Sequence, residues 1–223
     1  MFYPIGDENV QGGTFPIVTY TLISLNVLIF FLEANLSGDA LDNFIMTFGA
    51  VPNQIMSGKN LHALFTCMFL HGGWMHLFGN MLFMWIFADN IEATIGSVSF
   101  LVFYIIAGLL AAFAHIFFNL TSEIPMVGAS GAIAGVLGAY LVMYPHSRIK
   151  VFFILFFFRP FYWPAWIFLG IWGAQQIISG VGSLTLTADT AGVAYWAHIG
   201  GFVFGILAGF YFKNTQERGY AIG

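Results

Sequence analysis

Three apolar runs of the chain hold residues whose types could perform acyl transfer: HGGWMHLFGNM (71–81), GASGA (128–132) and AHIGGFVFG (197–205). That chemistry needs a nucleophile, a base within hydrogen-bond reach and donors for the charge that develops on the attacked carbonyl. Ser130, His198, and His76 together with Asn80 fill those roles by residue type. A serine at a helix start has unpaired backbone N–H groups and the positive end of the helix dipole beside it, a setting that suits an oxyanion. His76 and Asn80 are four apart and share a helix face, whereas His71, five before His76, points elsewhere. His198 lies one position off the stripe Ala197, Gly201, Gly205 and Gly209, whose spacing of four offers a smooth face to another helix. Each residue also has a plainer reading taken singly. Ser130 could bond a nearby carbonyl in a tight helix contact, and His198 could be a satisfied structural histidine. No Asp or Glu falls where it could orient the base, since Asp89 and Glu92 come near the far end of their segment and Asp189 in a loop. A two-residue dyad is therefore the expectation.

The elements that must position these residues are membrane helices. Of 223 residues 7% are charged and 59% hydrophobic, and mean hydropathy is +0.85, so the chain cannot cover itself with the surface of a soluble domain. Charge-free runs, cut at Pro, Gly and polar clusters, predict six spans near 16–33, 74–94, 98–119, 129–144, 162–180 and 194–212. They form one all-α polytopic membrane domain over 1–223. Five of the six Lys and Arg (Arg148, Lys150, Arg159, Lys213, Arg218) fall between the fourth and fifth spans or after the sixth, which predicts cytoplasmic termini. Six basic residues make no patch for a phosphate backbone, so nucleic acid is not an expected partner. Residues 1–13 lack the positive stretch of a cleaved signal peptide, and the first span is expected to remain as an anchor. The apolar segment 34–60 predicts a structured interfacial element, and 151–158 a stretch lying along the cytoplasmic interface. The lone Cys67 excludes an internal disulfide.

FLHGGWMHLFGNM (69–81), NIEATIG (90–96), GASGA (128–132) and AHIGGFVFG (197–205) together resemble the rhomboid family of intramembrane serine proteases, in its order and on the second, fourth and sixth helices of its six-helix bundle. The resemblance implies Ser130 as nucleophile, His198 as general base, and His76, Asn80 and the Ser130 backbone N–H as oxyanion donors. It further implies structural roles for His71, Gly128, Gly131, Gly201 and Gly205, and for Glu92 at the end of the second helix. It implies transmembrane protein substrates met within the lipid bilayer and no cofactor or metal. Two positions depart from the pattern: His62 and Ala63 stand where the family has a Trp-Arg pair, and Ala134 where an aromatic often stacks on the base. Trp163, Trp166, Phe168 and Trp172 are candidates for a lateral gate, and 180–192 for a cap. Compact loops without a transit peptide suggest a prokaryotic plasma membrane. The rival classes are a catalytically silent relative that binds transmembrane clients, and a haem or metal protein using His62, His71, His76 or His115.

Overall fold

A computed structural model describes residues 2–8, 15–153, 161–184 and 193–221, with backbone alone for 2, 3, 153 and 216–221. Six long helices carry the bundle: α1 (Ile17–Ala34), α5 (Trp74–Ile95), α6 (Ser97–Phe118), α7 (Ser130–Met143), α8 (Ala165–Ser183) and α9 (Tyr195–Ala221). Three of them, α1, α6 and the stretch Tyr195–Thr215 of α9, are by themselves long and apolar enough to cross a membrane, and α7 is a shorter apolar helix. Leu28, Val98, Phe117, Ile178 and Leu207 are among the large apolar side chains left exposed, the outward face that lipid requires. The chain is thus an integral multi-pass membrane protein with a helical bundle.

At the centre α7 is wrapped by its neighbours, and from Gly131 to Tyr140 every residue is buried. Its approach to α9 is closer than any side chain would permit. A Cβ on Gly201 would sit 2.0 Å from the Gly131 carbonyl oxygen, one on Gly205 1.9 Å from that of Gly135, and one on Gly138 2.2 Å from that of Phe202. The predicted stripe on the sixth helix therefore meets a matching stripe on the fourth, backbone to backbone. On the other side of α7, Gly131 and Gly135 face Ala111 and Ala107 of α6.

Buried polar bonds fasten the remaining elements. The Glu92 carboxylate, fully buried, accepts from the backbone N–H of Val18 (2.9 Å) and Thr19 (2.7 Å), the Thr19 hydroxyl (2.8 Å) and the Ser97 hydroxyl (2.6 Å). It caps the N-terminal turn of α1 from the last turn of α5, where a negative charge suits the helix dipole. Segment 34–60 is structured as expected, with α2 (Asp39–Phe48) and α3 (Pro52–Met56), followed by α4 (Ala63–Thr66). At the departure from the family pattern, His62 Nε2 bonds the Thr47 carbonyl at 3.0 Å and its ring packs edge-on to Phe48, while Ala63 is buried. His62 thereby ties the residues before α4 to the end of α2.

A small sheet was not foreseen. β1 (Phe2–Gly6) pairs antiparallel with β2 (Arg148–Phe153), and β2 with β3 (Phe161–Pro164). Of residues 151–158, expected to lie along the cytoplasmic interface, 151–153 form the end of its central strand, and 154–158 lie outside the described residues. Ile149 and Val151 bury completely on one face, the alternation of a half-buried strand. The fifth helix starts at Ala165 rather than 162 because residues 161–164 are paired in β3 and Pro164 occupies the N-cap. It ends at Ser183, and the sixth helix continues to Ala221, beyond the expected 212.

Two expectations follow. Gly205→Ala drives a methyl into the Gly135 carbonyl and should lower the detergent unfolding midpoint by the equivalent of ~1–3 kcal/mol. Gly170→Ala on α8, where nothing lies within 4 Å, should be neutral or slightly stabilising; equal effects in differential scanning fluorimetry would contradict the close contact.

Where β1 ends, the Asp7 carboxylate accepts from the Asn90 amide (3.0 Å) and the Tyr140 hydroxyl. Burial, with a lesser push from Glu8, raises its pKa from 3.8 to about 6. The folded state thus favours the protonated acid, so this contribution to stability is complete below 3.8 and lost as pH rises through about 6. Asp7→Asn, which retains a carbonyl acceptor, should gain stability over wild type above that window and match it below; parallel curves of unfolding midpoint against pH would contradict the burial.

Candidate active site

The glycine contact between α7 and α9 brings Ser130, the first residue of α7, against His198, the fourth of α9. Ser130 Oγ lies 2.8 Å from His198 Nε2. With 14 residues α7 is roughly 21 Å long, short of the ~30 Å of a bilayer core, so its N-terminus can stop within the membrane. Ala129 at the N-cap offers no capping side chain. The first N–H groups of the helix, that of Ser130 included, have no partner within it, and the dipole adds positive potential there.

α5 supplies the facing wall. The Gly72 backbone N–H donates to His76 Nδ1 at 3.3 Å, so the ring proton of a neutral His76 sits on Nε2. That nitrogen faces Gly128: a Cβ there would lie 2.7 Å from it and 3.5 Å from Asn80 Nδ2. Gly128 also has φ 124°, a backbone conformation open to glycine, so one residue type meets both demands. Asn80 Nδ2 is buried and has no hydrogen-bond partner among the described residues. A donor in that state costs ~1–3 kcal/mol until an acceptor arrives. A cavity of about 620 Å³, lined by His76, Asn80, His115, Ser130 and His198 among others, joins these groups.

The other predicted residues divide by position. His71 donates its backbone N–H to the Glu33 carboxylate (3.1 Å) at the end of α1; its buried ring lies edge-on to Phe30 and 5.2 Å from the His76 ring. Gly131 and Gly201 face each other directly below the serine-histidine pair, and Gly205 one turn further along. The gate candidates do not act as one group. Phe168 is core, stacked on Phe83 and Phe87; Trp166 is 53% exposed; Trp163 belongs to β3. Of the four, Trp172 alone approaches the site, its ring 6.0 Å from that of His198, so with no ring at Ala134 the histidine has aromatic neighbours in Trp172 of α8 and Tyr195 of α9. The proposed cap falls partly on α8, up to Ser183, and residues 185–192 lie outside the described residues. No three His, Cys, Asp or Glu side chains come together as a metal would need among the described residues.

One residue escaped the sequence analysis. Gln176 of α8 is buried, and its Oε1 lies 2.8 Å from His198 Nδ1. The third group beside the base is an amide, where a carboxylate was the expected type. The pair Gln175-Gln176 in the middle of an apolar helix was the available signal, since an amide at membrane depth must find a partner.

A family profile described as the Rhomboid domain matches residues 58–215, which include His71, His76, Asn80, Ser130, Gln176 and His198. The chain belongs to the rhomboid family. It is 31% identical over 198 residues to the rhomboid protease GluP of Bacillus subtilis, covering 89% of this chain and 35% of that protein. It is 28% identical over 154 residues to the mitochondrial rhomboid protein 1 of Saccharomyces cerevisiae, covering 67% of this chain and 41% of that one. To the presenilin-associated rhomboid-like protein of Bos taurus mitochondria it is 29% identical over 147 residues, 62% of this chain and 34% of the relative. The chain thus spans about a third to two fifths of the length of these relatives. As a rhomboid family member it belongs among proteins that include intramembrane serine proteases.

Proposed function

We propose that this chain is an intramembrane serine endopeptidase that hydrolyses peptide bonds in or beside transmembrane segments, with Ser130 as nucleophile and His198 as general base. The observation that carries the reading is the 2.8 Å approach of Ser130 Oγ to His198 Nε2 at an uncapped helix N-terminus that borders a cavity. The relative named a rhomboid protease supports the same reading.

A substrate helix enters the bundle from the bilayer, unwinds locally and presents a carbonyl to Ser130. Oγ attacks the carbonyl carbon while His198 Nε2 takes the hydroxyl proton. The oxyanion receives hydrogen bonds from His76 Nε2–H, Asn80 Nδ2–H and the Ser130 backbone N–H, and the Asn80 donor has no other partner among the described residues. The imidazolium then protonates the leaving amine, and the acyl-enzyme is cleared by water attacking with His198 again as base. The residues act within one membrane domain, its basic end (Arg148, Lys150, Lys213) in the cytoplasm and Ser130 near the opposite face. A prokaryotic plasma membrane is the proposed location.

A serine-directed fluorophosphonate probe should label the purified protein in mild detergent, and neither Ser130→Ala nor His198→Ala. His76→Ala and Asn80→Ala should each cut turnover of a transmembrane substrate by ~10²–10³-fold. A folded wild type that resists the probe and leaves such substrates intact would instead favour a client-binding role without cleavage. Unchanged turnover in either oxyanion variant would remove that residue from the mechanism.

A further inference from the structure

Resting on this reading, we infer that Gln176 is the positioning residue of the site: it fixes the tautomer and orientation of His198, so that the working unit is Ser130–His198–Gln176 rather than a dyad. A neutral imidazole carries one proton, and only the nitrogen without it can accept from Ser130. Gln176 decides which nitrogen that is. Its Nε2 lies 3.4 Å from the Trp172 carbonyl, one turn back on α8, and is placed to donate there, which turns Oε1 toward the histidine. An amide oxygen only accepts, so the His198 Nδ1 it meets at 2.8 Å must carry the proton. Nε2 is left bare, facing Ser130 Oγ. The role is the one an orienting carboxylate fills in serine hydrolases, and a neutral amide fills it without bringing a charge into the membrane.

The placement of Gln176 has a mechanical consequence. Ser130 comes from α7, His198 from α9 and Gln176 from α8, so the imidazole is held between two helices. α8 lies against α9 through Gly173 on the Phe202 ring and Gly180 on Ile199. Its other face, with Ile171, Ile177, Ile178 and Val181, is exposed to lipid. The base is therefore oriented only while α8 is seated on α9.

The test compares wild type with Gln176→Met, similar in length without the amide acceptor, and Gln176→Glu, which keeps an acceptor oxygen. Fluorophosphonate labelling rates, kcat and KM on a single-span peptide, and thermal midpoints would be read together. Gln176→Met should lose about 10–100-fold in labelling rate and kcat, the worth of one hydrogen bond to a charged group. KM and the midpoint should stay near wild type, and Gln176→Glu should recover most of the rate. Labelling of Gln176→Met at the wild-type rate, or equal losses in Met and Glu variants, would overturn the inference while leaving the protease reading intact. A wild type that does not label overturns both. ¹⁵N-histidine NMR of the resting wild type needs no variant: a protonated Nδ1 on His198 supports the assignment, and a protonated Nε2 overturns it.

Discussion

The backbone contact between α7 and α9 is the constraint on which the site depends. Ser130 and His198 are 68 residues apart and sit on different helices, so a 2.8 Å hydrogen bond between them requires those helices to hold one distance and one rotation. Ordinary side chains at the interface would keep helix axes 8–10 Å apart and leave room for alternative packings. Here Gly131, Gly135, Gly138, Gly201 and Gly205 remove the side chains, and each helix seats directly on the other's carbonyls. In lipid, where apolar burial gives helices little reason to associate, close van der Waals contact of this kind is the available source of cohesion. A site that demands sub-ångström placement is thus built on the part of the bundle with the least freedom to shift.

Around that axis, buried carboxylates do the fastening that charges rarely do in membranes. Glu92 ties the start of α1 to the end of α5 and the start of α6, and Glu33 ties the end of α1 to the turn before α5. Both accept backbone N–H groups that would otherwise be orphaned, which makes them caps more than ion pairs. Because α5 carries His76 and Asn80, holding it at both ends fixes that wall of the cavity relative to Ser130. Asp7 draws the N-terminal strand to the opposite end of the bundle, onto Tyr140 and Asn90.

Much of this was legible in the sequence, for physical reasons that also explain what was not. Sparse charges delimit spans because lipid excludes them, so the helices beginning near residues 16, 74, 98, 129 and 194 were found within a residue or two. The glycine stripe of the last helix announced a close partner, though only the structure identified it as α7. The sheet was hidden because its strands are short, distant in sequence and flanked by membrane helices whose hydropathy dominates any window; Phe2–Gly6 finds its register only against Arg148–Phe153. Phe161–Pro164 looked like the start of a helix because it is aromatic and abuts one. Ser130, His198, His76 and Asn80 stood out as polar residues at membrane depth. Gln176 is of the same kind, but an expectation framed around a carboxylate passed over the amide that meets the histidine from α8.

The most direct measurement places purified protein in liposomes with a single-span substrate and identifies the products by mass spectrometry. The account predicts one cut within or beside the span by wild type, and intact substrate with Ser130→Ala or His198→Ala. Intact substrate with folded wild type, or the same cut made by Ser130→Ala, would contradict it.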